Sequence, residues 1–134
     1  MKKMVAERGM TDRFLIASAA TSTEEIPNGR GNPVYPPARA ELARHGIACS
    51  GKHAVLLNKE DARQYDYLIV MDERNLRNTL RIIGEDGKEK VHKLLDFTCQ
   101  KGDIADPWYT GDFAVTYHEI EEGCAALLQN LCEK

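Results

Sequence analysis

The chain has 134 residues, enough for one conventional domain, and a chain of that length buries roughly two thirds of its unfolded surface around one core. Hydrophobic residues make up 43% and charged residues 29%, too apolar for intrinsic disorder, and no apolar run approaches the roughly 18 residues of a membrane span, which argues against membrane insertion. Eighteen basic against twenty-one acidic residues leave a net charge of −3 with no long block of either sign, so nucleic acid is a poor partner.

Met1 to Arg8 reads as a helix with Met1, Met4 and Val5 on one side, and Gly9 follows where a helix often stops. Its basic residues precede no apolar stretch, so it lacks the body of a secretory signal and points to the cytoplasm. Phe14-Leu15-Ile16-Ala17 is an apolar run passing into polar Ser18 to Thr23, the pattern of a buried strand entering a turn. Glu24 to Pro37 holds Pro27, Gly29, Gly31, Pro33, Pro36 and Pro37, a density of breakers that predicts a loop without regular structure. Pro37 suits the first turn of a helix over Ala38 to His45, stopped by Gly46. Glu60 to Gln64 reads as a short helix, and Tyr67 to Met71 as a second buried strand ending on Asp72.

Leu76, Leu80 and Ile83 then mark a helix ending near Gly84, and Val91 to Phe97 reads as a third strand. Asp103 to Asp112 is a loop. Beyond it Phe113, Tyr117, Ile120, Cys124, Leu127, Leu128 and Leu131 recur at steps of 4, 3, 4, 3, 1 and 3, the clearest helical pattern of the chain. Helices and strands in alternation predict an α/β fold with a small parallel sheet flanked by helices, in a single domain over residues 1–134. Cys49, Cys99, Cys124 and Cys132 fall at irregular spacings with no Cys-x-x-Cys pair and no zinc-type cluster; they read as reduced, mostly buried thiols, with Cys124 and Cys132 as small core residues on one helix face.

Parallel sheets place their ligand crevice at the carboxyl ends of strands, which directs attention to the loops after Ala17, Met71 and Phe97. The last contains Asp106-Pro107-Trp108-Tyr109. Proline extends the backbone at Asp106, and two aromatics can wall an apolar slot beside its carboxyl group, an arrangement suited to a general acid facing an aromatic leaving group. The same tetrapeptide also serves as a plain turn opener. Asp72 equally suits the cap of the helix that follows it, and His53 a satisfied surface or core histidine.

Asp106-Pro107-Trp108-Tyr109 ahead of a C-terminal amphipathic helix resembles the general-acid loop of the low molecular weight protein tyrosine phosphatases. Phe14 to Thr21 resembles that family's second strand and its Ser-Ala-Gly-Thr-like turn, with Ala20 in place of the glycine. Gly46-Ile47, Tyr65-Asp66-Tyr67 and Val70-Met71-Asp72-Glu73-Arg74-Asn75 resemble its middle in order and spacing, so the match runs from Met1 to Leu131. The resemblance implies the phosphotyrosine phosphatase I-like fold and hydrolysis of phosphotyrosine proteins or small aryl phosphates through a phosphocysteine, with no metal or organic cofactor. It gives Asp106 the role of general acid and makes Trp108 and Tyr109 substrate-binding. Ser18 matches a support beneath the phosphate loop; His53 and Asp72 are the remaining candidate supports, His53 one place from the matching position.

The family's nucleophile lies in a loop of Cys, five residues and Arg, whose amides and arginine cradle the phosphate. Six positions beyond Cys49 stands Val55, beyond Cys99 Ala105 and beyond Cys124 Asn130, and Cys132 is too near the end, so the 134 residues contain no such loop. In the family that loop follows a first strand placed between the second and third, in the order two, one, three, four. The resemblance therefore leads us to expect a chain that starts at an internal methionine, by gene-model error or genuine truncation, with the first strand missing and self-association through exposed strand edges. The loop from Glu24 to Pro37 is longer than usual, Thr23-Glu24-Glu25 stands where many members place an aromatic, and Val55 replaces a basic residue. The alternatives are a non-catalytic remnant that binds a partner, and arsenate reductase, which the wide separation of Cys49 and Cys99 disfavours.

Overall fold

The structure, a computed structural model of the chain, describes residues 1–133. Six helices carry most of the ordered backbone: α1 Lys2–Glu7, α2 Pro36–Arg44, α3 Lys59–Gln64, α4 Glu73–Ile83, α5 Pro107–Thr110 and α6 Phe113–Cys132. Two strands, β1 Leu68–Val70 and β2 Val91–Lys93, pair in parallel with Leu68 opposite Val91, Ile69 opposite His92 and Val70 opposite Lys93. The β1–α4–β2 crossover is thus the α/β unit that the alternating pattern predicts. Among the described residues no helix is long and apolar enough to cross a membrane.

Local chemistry sets the helix ends. Asn58 and Asp61 form a reciprocal capping box at the start of α3, and the Asp72 side chain accepts the Asn75 amide at 2.8 Å to start α4. Asp112 caps α6 in the same way through the Val115 amide at 3.0 Å. Pro36 and Pro37 occupy the first turn of α2, where a missing amide hydrogen costs nothing. Gly46 and Gly84 end α2 and α4 at φ values of 72° each, a conformation that favours glycine.

Side chains of β1 alternate between two cores, as the pleat requires. Ile69 packs with Leu94, Leu95, Ile104, Cys124 and Leu127, a cluster closed by Met1 and Met4 of α1. Leu68 packs on the other face with Leu57, Ala62 of α3 and Ile83 of α4. Gly123 permits the tightest contact in the first core: a Cβ there would lie 2.5 Å from Leu94 Cγ, and Leu94 is 1% exposed with no room to move. We expect Gly123→Ala to destabilise the protein despite alanine's helix advantage of about 1 kcal/mol, because overpacking costs about 1–3 kcal/mol. A lowered urea midpoint at unchanged slope would show it; a raised midpoint would contradict it.

Several expectations need correcting. Phe14–Ala17 joins no ladder: Leu15 is 69% exposed, and the isolated parallel bridge of Ala20 to Leu56 comes only three residues later. Extended backbone becomes strand only where it finds a partner, which the composition of one segment cannot specify. Only Val91–Lys93 of the third predicted strand pairs; Leu94–Phe97 turns into a 3-10 helix that sends Leu94 and Leu95 into the core. The loop Glu24 to Pro37 includes a 3-10 turn at Pro27–Gly29 and the first residues of α2, and the loop from Asp103 to Asp112 contains α5. The cysteines are mostly not buried. Cys124 is, Cys49 is half-buried, Cys99 is exposed, and Cys132 is exposed on the last turn of α6, past the core.

Candidate active site

The segment leading to Asp106 is fixed by a different element at each residue. The Asp103 carboxylate lies 2.8 Å from Lys93 Nζ at the end of β2, and the same ammonium lies 2.9 Å from Glu73 at the start of α4. The Ile104 amide donates to the Met71 carbonyl just beyond β1 at 2.9 Å, and its side chain is buried. The Ala105 carbonyl accepts the Thr116 hydroxyl of α6 at 2.9 Å. Asp106 then caps α5, its Oδ1 accepting the Trp108 amide at 2.9 Å, while its Oδ2 has no hydrogen-bond partner among the described residues.

A cavity of about 390 Å³ opens between α2, the end of β1 and α6. Met71, Ile104, Phe113 and Tyr117 are among its walls, and three carboxyl residues, Glu41, Asp72 and Asp106, border this largely apolar hollow at the carboxyl end of β1. Burial pushes the Tyr117 hydroxyl pKa up, and the negative charges of Glu121, Glu41 and Glu7 contribute to the shift. The Glu41 carboxylate, itself buried, is held by Arg44 at 2.7 Å and His45 at 2.9 Å.

Of the residues singled out in the sequence, the structure brings Asp72 and Asp106 together around this cavity. Asp72 also caps α4 there, and Asn75 secures the turn by accepting the Met71 amide at 3.3 Å. Trp108 and Tyr109 follow Asp106 on α5 and are largely exposed. Ser18 and His53 do not line the cavity. Ser18 is exposed in the unpaired segment, and the His53 ring lies 3.1 Å from the Gly31 carbonyl, where it anchors the long loop.

Three further features escaped the sequence reading. Tyr35, from the long loop, packs against Trp108 with ring centroids 4.8 Å apart and against Phe113 at 6.0 Å. Arg74 pairs with Glu24 at 2.7 Å, and that hydrogen bond holds the guanidinium pKa above its usual range. The aromatics between prolines hinted at the first, but no local spacing reveals which rings meet across seventy residues. The third is the Lys93 bridge, whose hydrogen bond keeps the Asp103 carboxyl below the usual carboxylate range.

A carboxyl depressed in the folded state contributes stability that is complete above its unfolded pKa and is lost as pH falls through the folded one. We therefore expect Lys93→Met to remove part of the acid-side loss, flattening the decline of melting temperature between about pH 5 and pH 2. Parallel profiles for the two proteins would show that the bridge makes no contribution.

The family model described as low molecular weight phosphotyrosine protein phosphatase matches residues 1–134. The chain is 36% identical to the mouse low molecular weight phosphotyrosine protein phosphatase over 134 residues, covering 96% of this chain and 81% of the relative. It is 28% identical to the low molecular weight protein-tyrosine-phosphatase YfkJ of Bacillus subtilis over 132 residues, 97% of this chain and 82% of that one. The crystal structure of YfkJ superposes with a TM-score of 0.90 over 98% of this chain and 82% of its own. With the match of sequence and fold extending over the whole described architecture, the chain belongs to the low molecular weight phosphotyrosine protein phosphatase family.

Proposed function

We propose that this single domain is built to act in the cytoplasm on phosphotyrosine proteins or small aryl phosphates, with Asp106 as the general acid. The observation that carries the reading is the placement of Asp106: its segment is tied at successive residues to β2, β1 and α6, its Oδ2 is unengaged, and a largely apolar cavity lies beneath it. The family's chemistry needs a thiolate as well. In that reaction the sulfur attacks phosphorus, the ester P–O bond breaks, and Asp106 gives its proton to the departing phenolate. Asp106 then takes a proton from water as the water attacks the phosphocysteine, releasing phosphate and regenerating the thiolate.

The 134 residues hold no Cys, five residues, Arg loop, so by themselves they lack the group that receives the phosphoryl. An N-terminally extended version carrying such a loop provides the test. Incubated with a phosphotyrosine peptide and quenched, it should show one added phosphoryl mass on the supplied cysteine, which the chain without the extension should not. No adduct and no turnover in the extended protein would refute the reading. Trp108 and Tyr109 are proposed to hold the aryl group, with Ser18, Asp72 and His53 in supporting positions. The chain itself is proposed to self-associate through exposed strand edges, which its unpaired backbone favours.

A further inference from the structure

A single helical turn such as α5, Pro107–Thr110, does not hold its own shape in water. Its backbone hydrogen bonds stay local: the Tyr109 and Thr110 amides donate to the Asp106 carbonyl at 3.1 and 3.2 Å, and the Gly111 amide donates to that of Pro107 at 2.8 Å. Both of its aromatic side chains stand largely in water, Trp108 at 62% exposure and Tyr109 at 76%. Their orientation must therefore come from other elements. Tyr109 bears on Arg74, whose pKa it raises after the larger effect of Glu24. Trp108 is met by Tyr35, with ring centroids 4.8 Å apart and planes inclined at 57°.

Tyr35 is itself fixed where it meets Trp108. It stands at the cap of α2 with its carbonyl accepting the Arg39 amide at 2.9 Å, and Pro36 after it holds its backbone extended at ψ 132°. Its ring also stacks on Phe113, the first residue of α6, at 6.0 Å and 29°. One ring from the start of α2 thus touches both ends of the stretch that joins α5 to α6. Trp108 lies two residues beyond Asp106, and Phe113 lines the cavity beside it. Tyr35 is not among the lining residues, so it acts on anything held there through Trp108 and Phe113.

We propose that Tyr35 is a positioning residue for the aryl group of the substrate: it braces Trp108, whose remaining exposed ring is the wall that the aryl group meets. The proposal rests on the reading that Asp106 is the general acid and Trp108 holds the aryl group, and it adds a residue from the loop of 24–37 to that site. A side chain free in water must be ordered before it can hold a ligand, and ordering it beforehand is gained as affinity. Aromatic pairs of this geometry are worth a factor of about two to ten in an equilibrium. The contact is ring to ring, so phenylalanine at position 35 should preserve it, whereas leucine keeps apolar bulk and loses the ring.

Trp108 is the one tryptophan of the chain, so its fluorescence reports the brace directly in the 134-residue protein. Time-resolved anisotropy should show a larger amplitude of fast local indole motion in Tyr35→Leu than in wild type, and the wild-type amplitude in Tyr35→Phe. Matching far-UV circular dichroism of the three proteins confirms that each is folded. Indole motion unchanged in Tyr35→Leu would overturn the brace. The substrate role is read in the version extended with a Cys, five residues, Arg loop. There Tyr35→Leu should lower kcat/KM for aryl phosphates about two- to tenfold, through KM, with Tyr35→Phe restoring it and with an alkyl phosphate, which has no ring to hold, unaffected. An equal loss on aryl and alkyl phosphates would overturn the positioning role, since a merely structural defect acts on both. An extended protein without turnover would refute the reading of the site and the substrate role with it, while the anisotropy of the 134-residue chain decides the brace independently.

Discussion

Incubated with an aryl phosphate at mildly acidic pH, the 134-residue chain is expected to release no phosphate above the uncatalysed background. The mechanism that the family resemblance implies needs a cysteine thiolate cradled by backbone amides and an arginine six positions on, and none of the four cysteines is followed by an arginine at that spacing. Their placement agrees. Cys124 is buried within α6, Cys132 is at its end, Cys49 and Cys99 lie in connecting segments, and none of the four is among the residues lining the cavity beneath Asp106. General acid catalysis without a nucleophile leaves only water to attack, so Asp106 alone offers little. The decisive comparison is the purified chain against variants with Cys49→Ser and Cys99→Ser: turnover that survives extensive purification and disappears in one of them would show that the nucleophile has been misplaced.

The second large effect concerns Asp106 in a version extended with a Cys, five residues, Arg loop. Asp106→Asn should slow the hydrolysis of aryl phosphates with poor leaving groups by about 10²- to 10⁴-fold and leave good leaving groups far less affected. An acid helps in proportion to the basicity of the oxygen it protonates, and asparagine keeps the shape but has no proton to give. Asn can still accept the Trp108 amide that Oδ1 now receives, so the start of α5 should persist and the loss should be chemical. Were Asp106 only a turn residue before Pro107, the substitution would alter stability and leave the leaving-group dependence as it was. Equal slowing across a graded series of aryl phosphates would therefore count against the catalytic role, and first-order rates of phosphocysteine formation by rapid quench would separate that step from later hydrolysis.

Short-range information carried much of this protein. The steps of 4, 3, 4, 3, 1 and 3 from Phe113 to Leu131 lie within α6, whose Cys124, Leu127 and Leu128 are buried. The reading of Asp72 as a helix cap, of Pro37 in a first turn, and of Gly46 and Gly84 as stops follows from capping and dihedral preferences that span a few residues. Asp106-Pro107-Trp108-Tyr109 was legible as a unit for the same reason: proline extends Asp106, which the structure places at the cap of α5.

What the tertiary structure decided is every feature that depends on which distant segments meet. Phe14–Ala17 has the composition of a buried strand, yet pairing needs a partner, and among the described residues none forms a ladder with it. Leu94 and Leu95 read as strand residues until the core that receives them is known, since a 3-10 turn and a strand can bury the same leucines. The cavity beneath Asp106 is bounded by α2, β1 and α6, elements spread along the chain from Pro36 to Cys132, and the packing of Tyr35 on Trp108 likewise joins distant segments. Periodicity, caps and turn residues act through neighbours along the chain, so sequence determines them; ladders, cavities and ring contacts are set by competition among distant partners, which only the folded chain resolves.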